Sequence, residues 1–136
     1  MALIEDLDEG VGTVVQALRE TGAYENTMIV FTSDNGGARY RGASNGPLRG
    51  GKQDMYEGGL RVRTAVTWPG PVAPGTRTEQ IGLTMDLYPT LAEVAGARLP
   101  RRVDGRSLLP VLRGETAPSD EPRTLFWVRR EGGPAY

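Results

Sequence analysis

The stretch that runs from Thr27 to Gly37, TMIVFTSDNGG, does most to determine the fold. Residues 27–33 are mostly apolar or β-branched and do not alternate with polar residues, which is typical of a strand buried on both faces in a parallel sheet. Asp34-Asn35-Gly36-Gly37 then ends the strand sharply. Ligands of open α/β sheets bind beyond the carboxyl ends of the strands, so we expect a binding site at residues 34–37.

Further helices and strands are predicted on both sides of this stretch. Apolar residues at spacings of three and four predict an amphipathic helix over 3–21, and Arg61–Trp68 reads as a second strand. Two short helices follow, with Asp86 and Ser107 as predicted N-caps, a proline in each first turn and a glycine at each end. We expect Leu87, Leu91, Val94 and Ala95 to form the buried stripe of the first. Thr124–Val128 resembles a third strand, so the prediction is an α/β fold with a mostly parallel sheet flanked by helices.

Composition excludes several classes of protein and of chemistry. The chain has 136 residues with 16 basic and 17 acidic side chains, which argues against a nucleic-acid binder. It contains no run of 18 apolar residues and no signal segment, so we expect no membrane span, while exported and cytoplasmic locations both stay open. Cysteine and histidine are both absent, which removes thiolate nucleophiles, cysteine zinc sites and the serine–histidine–aspartate triad.

Asp34 and Asn35 are the candidate metal ligands. A carboxylate beside an amide carbonyl offers hard oxygen atoms, which suit Ca²⁺ or Mg²⁺ better than zinc. The alternative is an Asx turn, because Asp, Asn and Gly commonly end strands. Two adjacent ligands are also too few for Ca²⁺, which takes roughly 6–8 oxygens.

Lys52 is the candidate anion-binding residue, because it is the only lysine beside 15 arginines and lies in the glycine-rich loop 36–60. An ammonium is a compact point charge that a guanidinium does not replace. Gln53 follows where a Walker loop needs Ser or Thr, so a P-loop is rejected. For Lys52 the alternative is a solvated loop lysine. For Glu57 and Arg61 the alternative to a functional role is a surface ion pair. For the arginine pairs 39/41, 101/102 and 129/130 the alternative to an anion site is a solvated face.

Taken together, these motifs resemble the sulfatase family, in order and over nearly the whole chain. The segments that carry the resemblance are Leu7–Gly12, Asn26–Gly37, Asn45–Lys52, Tyr56–Val62, Trp68–Gly70, Met85–Leu91 and Asp104–Leu108. Each motif alone is weak, and their succession makes the resemblance specific.

The resemblance implies a role for each matching position. Asp34 and Asn35 would be Ca²⁺ ligands, and Lys52 would contact the sulfate and stabilise charge as the ester bond breaks. Arg49, Glu57 and Arg61 would be architectural. In the family the nucleophile is a formylglycine made from Cys or Ser in a C/S-x-P-S-R motif, and its hydrate attacks sulfur and releases the alcohol. Substrates would be sulfate-ester small molecules or sulfated glycans.

The departures from the family pattern indicate an internal or C-terminal segment that lacks the nucleophile region. None of the four serines lies in the nucleophile motif, and Thr116–Asp120, TAPSD, only mimics it. The N-terminal Asp pair and the histidines of the family are absent too. We therefore expect residues 1–115 to be part of the catalytic α/β domain and 116–136 to begin a smaller C-terminal region. The isolated chain should be inactive and should self-associate through an exposed sheet edge and apolar face.

Three hypotheses remain open on the sequence. The first is a segment of a formylglycine sulfatase. The second is a phosphonate or phosphodiester hydrolase of the same superfamily, although Lys52 and the Tyr56–Arg61 motif favour the first. The third, from a different class, is a stand-alone anion- or metal-binding module without catalysis, which the missing nucleophile favours.

Overall fold

The computed structural model describes residues 2–115 and 123–128. These residues form two compact units, one made of 2–29 and 66–115 and the other of 30–65 and 123–128. The chain passes from one unit to the other within its two strands. The predicted C-terminal region lies largely outside the described residues, as do the TAPSD stretch and the arginine pair 129/130, so the proposed domain boundary stays a prediction.

The two predicted strands are present but short. Strand β1 comprises Ile29–Thr32 and strand β2 comprises Thr64–Thr67. They pair antiparallel, with the hydroxyl groups of Thr32 and Thr64 2.8 Å apart. The mostly parallel sheet therefore stays a prediction, because the described residues contain no parallel pair. The expectation that β1 is buried on both faces is wrong: Phe31 is 49% exposed, since a single partner strand covers little of it.

Helix α1, Ala2–Glu20, confirms the predicted amphipathic helix. It ends before Gly22, whose positive φ of 69° suits a residue without a Cβ. Its apolar face is exposed, with Leu3, Ile4, Leu7 and Val14 each more than half accessible to solvent. No helix in the described part of the chain has both the length and the apolar character needed to cross a bilayer.

The two short helices near the end of the described residues are also present. Helix α3 is Leu87–Val94 and helix α4 is Leu109–Leu112. The predicted stops, Gly96 and Gly114, have positive φ angles of 63° and 69°. The buried stripe predicted for the first of these helices is wrong, because Leu91 is exposed whereas Pro89 and Thr90 are buried. In α4, Leu109 is buried, with 2% of its surface exposed.

Asp86, predicted as the N-cap of α3, instead joins two loops. It precedes α3, but its carboxylate makes no N-cap hydrogen bond to that helix. It accepts the backbone N–H groups of Leu83 and Arg106, each at 2.8 Å, and the residue is completely buried. A buried carboxylate is tolerated where donors satisfy it, so Asp86 fixes a 3₁₀ turn at Thr84–Asp86 against the loop before α4.

Thr90 completes the same connection one turn further along α3. Its hydroxyl donates to the Asp86 carbonyl oxygen at 2.6 Å and accepts the Leu108 N–H at 2.9 Å. A Cβ on Gly105 would overlap the carbonyl oxygen of Met85, so only glycine fits there. We call Asp86, Thr90 and the backbone of 105–108 the Asp86 junction.

Two features of the second unit differ from the predictions. Residues 57–60, which the sequence assigns to the glycine-rich loop 36–60, form a short helix, α2, Glu57–Leu60. Residues 124–128 form no strand, so that prediction is wrong; Phe126 and Val128 are strongly exposed. Their apolar, β-branched character is a propensity that needs a pairing partner to become a strand.

Candidate functional site

The turn at 34–37 leaves β1 with its charged group facing solvent. The Ser33 hydroxyl donates to the Asn35 carbonyl oxygen at 2.8 Å. Within the described part of the chain, neither the Asp34 nor the Asn35 side chain makes a hydrogen bond, and Asp34 is exposed. The turn is therefore not an Asx turn, and the Asp34 carboxylate is available to a ligand.

Glycine backbones hold this turn against two other loops. The Gly36 N–H donates to the Gly59 carbonyl oxygen at 2.9 Å, and the Gly58 N–H donates to the Arg49 carbonyl oxygen at 2.7 Å. A Cβ on Gly36 would overlap the carbonyl oxygen of Gly58, and one on Gly51 would come within 2.5 Å of the Gly37 carbonyl oxygen. We call Gly36, Gly51, Gly58 and Gly59 the glycine cluster, because side chains there would force the loops apart.

Asn45 is the side chain that links these loops, and the sequence analysis did not single it out. Its amide oxygen accepts the Gly37 N–H at 2.7 Å, and its amide nitrogen donates to the carbonyl oxygens of Gly37 and Gly50 at 3.1 and 3.0 Å. Asn45-Gly46 is a pair of residues that commonly occurs in turns. Its only distinguishing signal was its place at the start of the family-like segment 45–52.

Lys52 is brought to the Asp34-Asn35 turn by its backbone. Its N–H donates to the Gly37 carbonyl oxygen at 3.1 Å. The Asp54 carboxylate accepts the Gly51 N–H at 2.8 Å, which closes the loop around Lys52. The Lys52 ammonium group is exposed and has no partner among the described residues, so the structure places the candidate cation and the candidate carboxylate on neighbouring, mutually bonded loops.

A groove of about 660 Å³ opens beside Lys52. It is lined by Arg39, Tyr40, Gly42, Ala43, Gly51, Lys52, Gln53 and Asp54. A second depression of about 440 Å³ shares Arg39 and lies along residues 43–50. The groove therefore has two cationic side chains and one carboxylate at its wall, and that carboxylate is engaged by the Gly51 backbone.

The three positions expected to be architectural differ in how firmly they are held. The Arg49 guanidinium lies 3.6 Å from the centre of the Tyr56 ring and donates to its hydroxyl at 2.7 Å. Glu57 and Arg61 form the predicted surface pair at 3.8 Å, with both side chains more than half exposed. Arg49 thus stiffens the approach to α2, whereas the Glu57–Arg61 pair lies at the surface.

As for metal, the donor chemistry fits a hard cation but the donor number is small. Asp34 and Asn35 supply carboxylate and amide oxygens of the type that Ca²⁺ prefers. Among the described residues, no three Asp, Glu, Cys or His side chains are grouped so as to hold a metal ion. A complete shell at Asp34 would therefore need ligands beyond these side chains.

The chain is similar to known proteins over most of its length. The sulfatase family model matches residues 1–97. The steryl-sulfatase of Mus musculus is 42% identical over 86% of the chain, and a sulfatase of Formosa agariphila is 44% identical over 93%. The chain belongs to the sulfatase family. This chain spans 20% of the length of the first relative and 25% of the length of the second.

Solved structures agree with the family at the level of the fold. The crystal structure of Ps i-CgsB in complex with k-i-k-neocarrahexaose matches with a TM-score of 0.76 and 42% identity, covering 82% of this sulfatase chain and 25% of the other. A phosphonate monoester hydrolase from Silicibacter pomeroyi matches with a TM-score of 0.66 and 31% identity over 85% and 21%. The neighbours fit the predicted α/β class.

Proposed function

We propose that this chain forms part of a sulfatase site that hydrolyses sulfate esters, with Lys52 as the catalytic residue that contacts the sulfate. The observation that carries the proposal is the Lys52 ammonium group, which has no partner among the described residues, on a loop bonded to the Asp34-Asn35 turn. A cation that contacts the sulfate can stabilise the negative charge that develops as the ester bond breaks. Membership of the sulfatase family supports this role.

Asp34 and Asn35 would hold Ca²⁺ in the complete site, where the ion would offset the sulfate charge. The nucleophile would be a formylglycine outside these 136 residues, since the chain has no cysteine and no serine in the required motif. With two ligands, we expect Ca²⁺ affinity no better than about millimolar, measured by calorimetry. A much tighter site that disappears in Asp34→Ala would mean that other side chains of this chain, such as Asp54 or Glu57, complete the shell.

The anion-binding role of Lys52 can be tested on the chain directly. Phenyl sulfate titrated into the full chain, followed by NMR shifts of the residues around Lys52, should bind weakly, and Lys52→Ala should weaken binding about tenfold, a change of about 1.4 kcal/mol. Lys52→Arg tests whether charge alone suffices. The matched control is Arg63→Ala, an exposed cation outside both depressions. Equal binding by wild type and Lys52→Ala would contradict the proposal.

Catalysis is a separate measurement from binding. The isolated chain should not hydrolyse an aryl sulfate above background with or without Ca²⁺, because it contributes neither a nucleophile nor a full metal shell. Turnover by pure chain that is lost in Lys52→Ala would show that the reaction needs no formylglycine from elsewhere.

The second candidate is a phosphonate or phosphodiester hydrolase, favoured by the likeness to the phosphonate monoester hydrolase. Phenylphosphonate and phenyl sulfate, titrated in parallel, separate the two: a sulfatase site should not prefer the phosphonate. A non-catalytic module is the third candidate. The genomic sequence that precedes the Met1 codon tests it, since a C/S-x-P-S-R motif in the same reading frame would support a sulfatase.

For partners, we propose a sulfate-ester small molecule or a sulfated glycan, which the names of the relatives support. We also propose self-association through the exposed sheet edge and the apolar face of α1, because four large apolar side chains of that helix are exposed. Light scattering at micromolar concentration should show dimers or larger species, and Leu7→Gln with Val14→Gln should reduce them. A stable wild-type monomer would contradict self-association.

A further inference from the structure

Arg39 is a second cationic residue of the candidate site, and the roles proposed for Lys52 and the metal ligands do not explain its position. It lines both the groove beside Lys52 and the second depression along residues 43–50. Its side chain lies on the glycine cluster: a Cβ on Gly51 would come within 3.1 Å of Arg39 Cγ. The base of the Arg39 side chain is thereby placed against the residue that precedes Lys52.

The Arg39 guanidinium also differs from three other arginines of its unit, each of which has a partner. Arg49 stacks on Tyr56, Arg61 pairs with Glu57, and Arg41 lies 5.8 Å from the centre of the Tyr40 ring. Within the described part of the chain, Arg39 and Lys52 have no such partner. Two cationic side chains without partners therefore face one groove, and the single carboxylate at its wall, Asp54, already accepts the Gly51 N–H.

The backbone between Lys52 and Asp54 carries a second sign of a functional constraint. Gln53 has a φ of 80°, and it is the only described residue other than glycine with a positive φ. Such a conformation is unfavourable for a residue with a Cβ and is found preferentially at binding and catalytic sites. Gln53 lines the groove with Lys52, so the strained residue and the two cations belong to the same surface.

The character of the groove wall limits what its occupant looks like. The lining contains no Leu, Ile, Val, Met, Phe or Trp side chain. The Tyr40 ring is the one large apolar surface among the lining residues, whereas hydroxyl and anionic groups of a ligand would find the Arg39 and Lys52 donors. The groove is suited to a polar, multiply charged ligand.

We propose that Arg39 binds a second anionic group of the substrate, a sulfate or a carboxylate, while Lys52 contacts the sulfate ester to be cleaved. This proposal rests on the proposed function of Lys52 and specifies the substrate class: a saccharide that carries at least two anionic groups. Arg39 sets specificity here, because a guanidinium recognises planar or tetrahedral oxyanions with two parallel hydrogen bonds.

The test compares ligands that differ by one charge. A monosulfated disaccharide, its disulfated analogue and a monosulfated disaccharide with a uronate are titrated into the full chain by calorimetry at low salt. Wild type should prefer each doubly charged ligand by about tenfold. Arg39→Ala should abolish that preference and leave the affinity for the monosulfated ligand unchanged within about twofold. The two doubly charged ligands show whether the second group is a sulfate or a carboxylate.

Two further variants separate this proposal from the proposed function. Lys52→Ala should weaken all three ligands, and a loss confined to Arg39→Ala would contradict the role of Lys52 but not that of Arg39. Arg41→Ala is the matched control, because Arg41 lies with Arg39 in the 3₁₀ turn Arg39–Arg41, is exposed and lines neither depression. The Arg39 proposal is overturned if wild type shows no preference, if Arg41→Ala loses as much as Arg39→Ala, or if Arg39→Ala weakens the monosulfated ligand equally.

Discussion

The glycine cluster and the Asp86 junction both hold loops together, but they use opposite parts of the chain. The glycine cluster is held mainly by contacts between backbone groups, with Asn45 and Asp54 as supporting side chains, and the charged side chains of Asp34 and Lys52 are left exposed. In the Asp86 junction, polar side chains are themselves the connectors, and both Asp86 and Thr90 are at most 1% exposed.

This difference separates charges that serve the fold from charges that remain available for chemistry. A buried carboxylate with two N–H donors is already satisfied, so it has little to offer a ligand. An exposed carboxylate or ammonium on a loop held by its backbone contributes little to folding and is positioned for binding. The two regions therefore predict opposite responses to the same kind of substitution.

The largest effect is expected at Asp86. Asp86→Ala removes the acceptor of the part-buried N–H groups of Leu83 and Arg106, and each donor left unsatisfied costs about 1–3 kcal/mol, so the free energy of unfolding should fall by about 4 kcal/mol. Urea denaturation followed by circular dichroism measures the change. Asp34→Ala is the matched control, since an exposed aspartate should change stability by no more than about 0.5 kcal/mol.

A larger loss in the free energy of unfolding for Asp34→Ala than for Asp86→Ala would contradict this comparison of the two regions. A loss at Asp34 as large as that at Asp86 would mean that the turn 34–37 depends on its carboxylate and not on the glycine backbone.

The next effect, about 3 kcal/mol, is expected for Gly36→Ala, because the added methyl group overlaps the Gly58 carbonyl oxygen and the loops must separate. Gly12→Ala is the control. Gly12 lies in α1 with nothing within 4 Å of its added Cβ, so alanine should stabilise the helix by up to about 1 kcal/mol. A Gly36→Ala chain as stable as wild type would show that the three loops are not packed this closely.

Much of the fold could be predicted because its signals are local. The apolar spacing of α1, the β-branched residues of β1 and the glycines after α1, α3 and α4 each act within a few residues. Helix α2 was missed because Gly58 and Gly59 are poor helix formers, and the close packing of these glycines compensates for that. The strand predicted at 124–128 failed because strands depend on partners that local sequence does not specify.

The same distinction between local signals and distant partners applies to the residues of the candidate site. Exposed charges such as Asp34 and Lys52 could be identified from residue type and family-like spacing. Asn45 could not, since its three hydrogen bonds join residues 37, 45 and 50 only after the loop has folded. Asp86 was taken for a helix cap because its partner Arg106 is 20 residues away.

The smallest effect is expected at the Glu57–Arg61 pair, which the family resemblance casts as architectural. The two groups are 3.8 Å apart and their side chains are 68% and 55% exposed, so solvent screens the attraction. Exposed pairs of this spacing contribute about 0.3–0.5 kcal/mol, and Glu57→Gln should cost no more than that. The difference from wild type should shrink further at about 1 M salt, where charges a few ångström apart are screened.

Arg49→Ala provides the contrast within the same segment. It removes a guanidinium stacked on Tyr56 and bonded to its hydroxyl, and we expect it to cost about 1 kcal/mol, with little dependence on salt. If Glu57→Gln costs as much as Gly36→Ala, and salt does not reduce that cost, the carboxylate must be doing more than pairing with Arg61 at the surface. The division between a supporting backbone and exposed charges would then fail at α2, since an exposed side chain would be holding the glycine cluster in place.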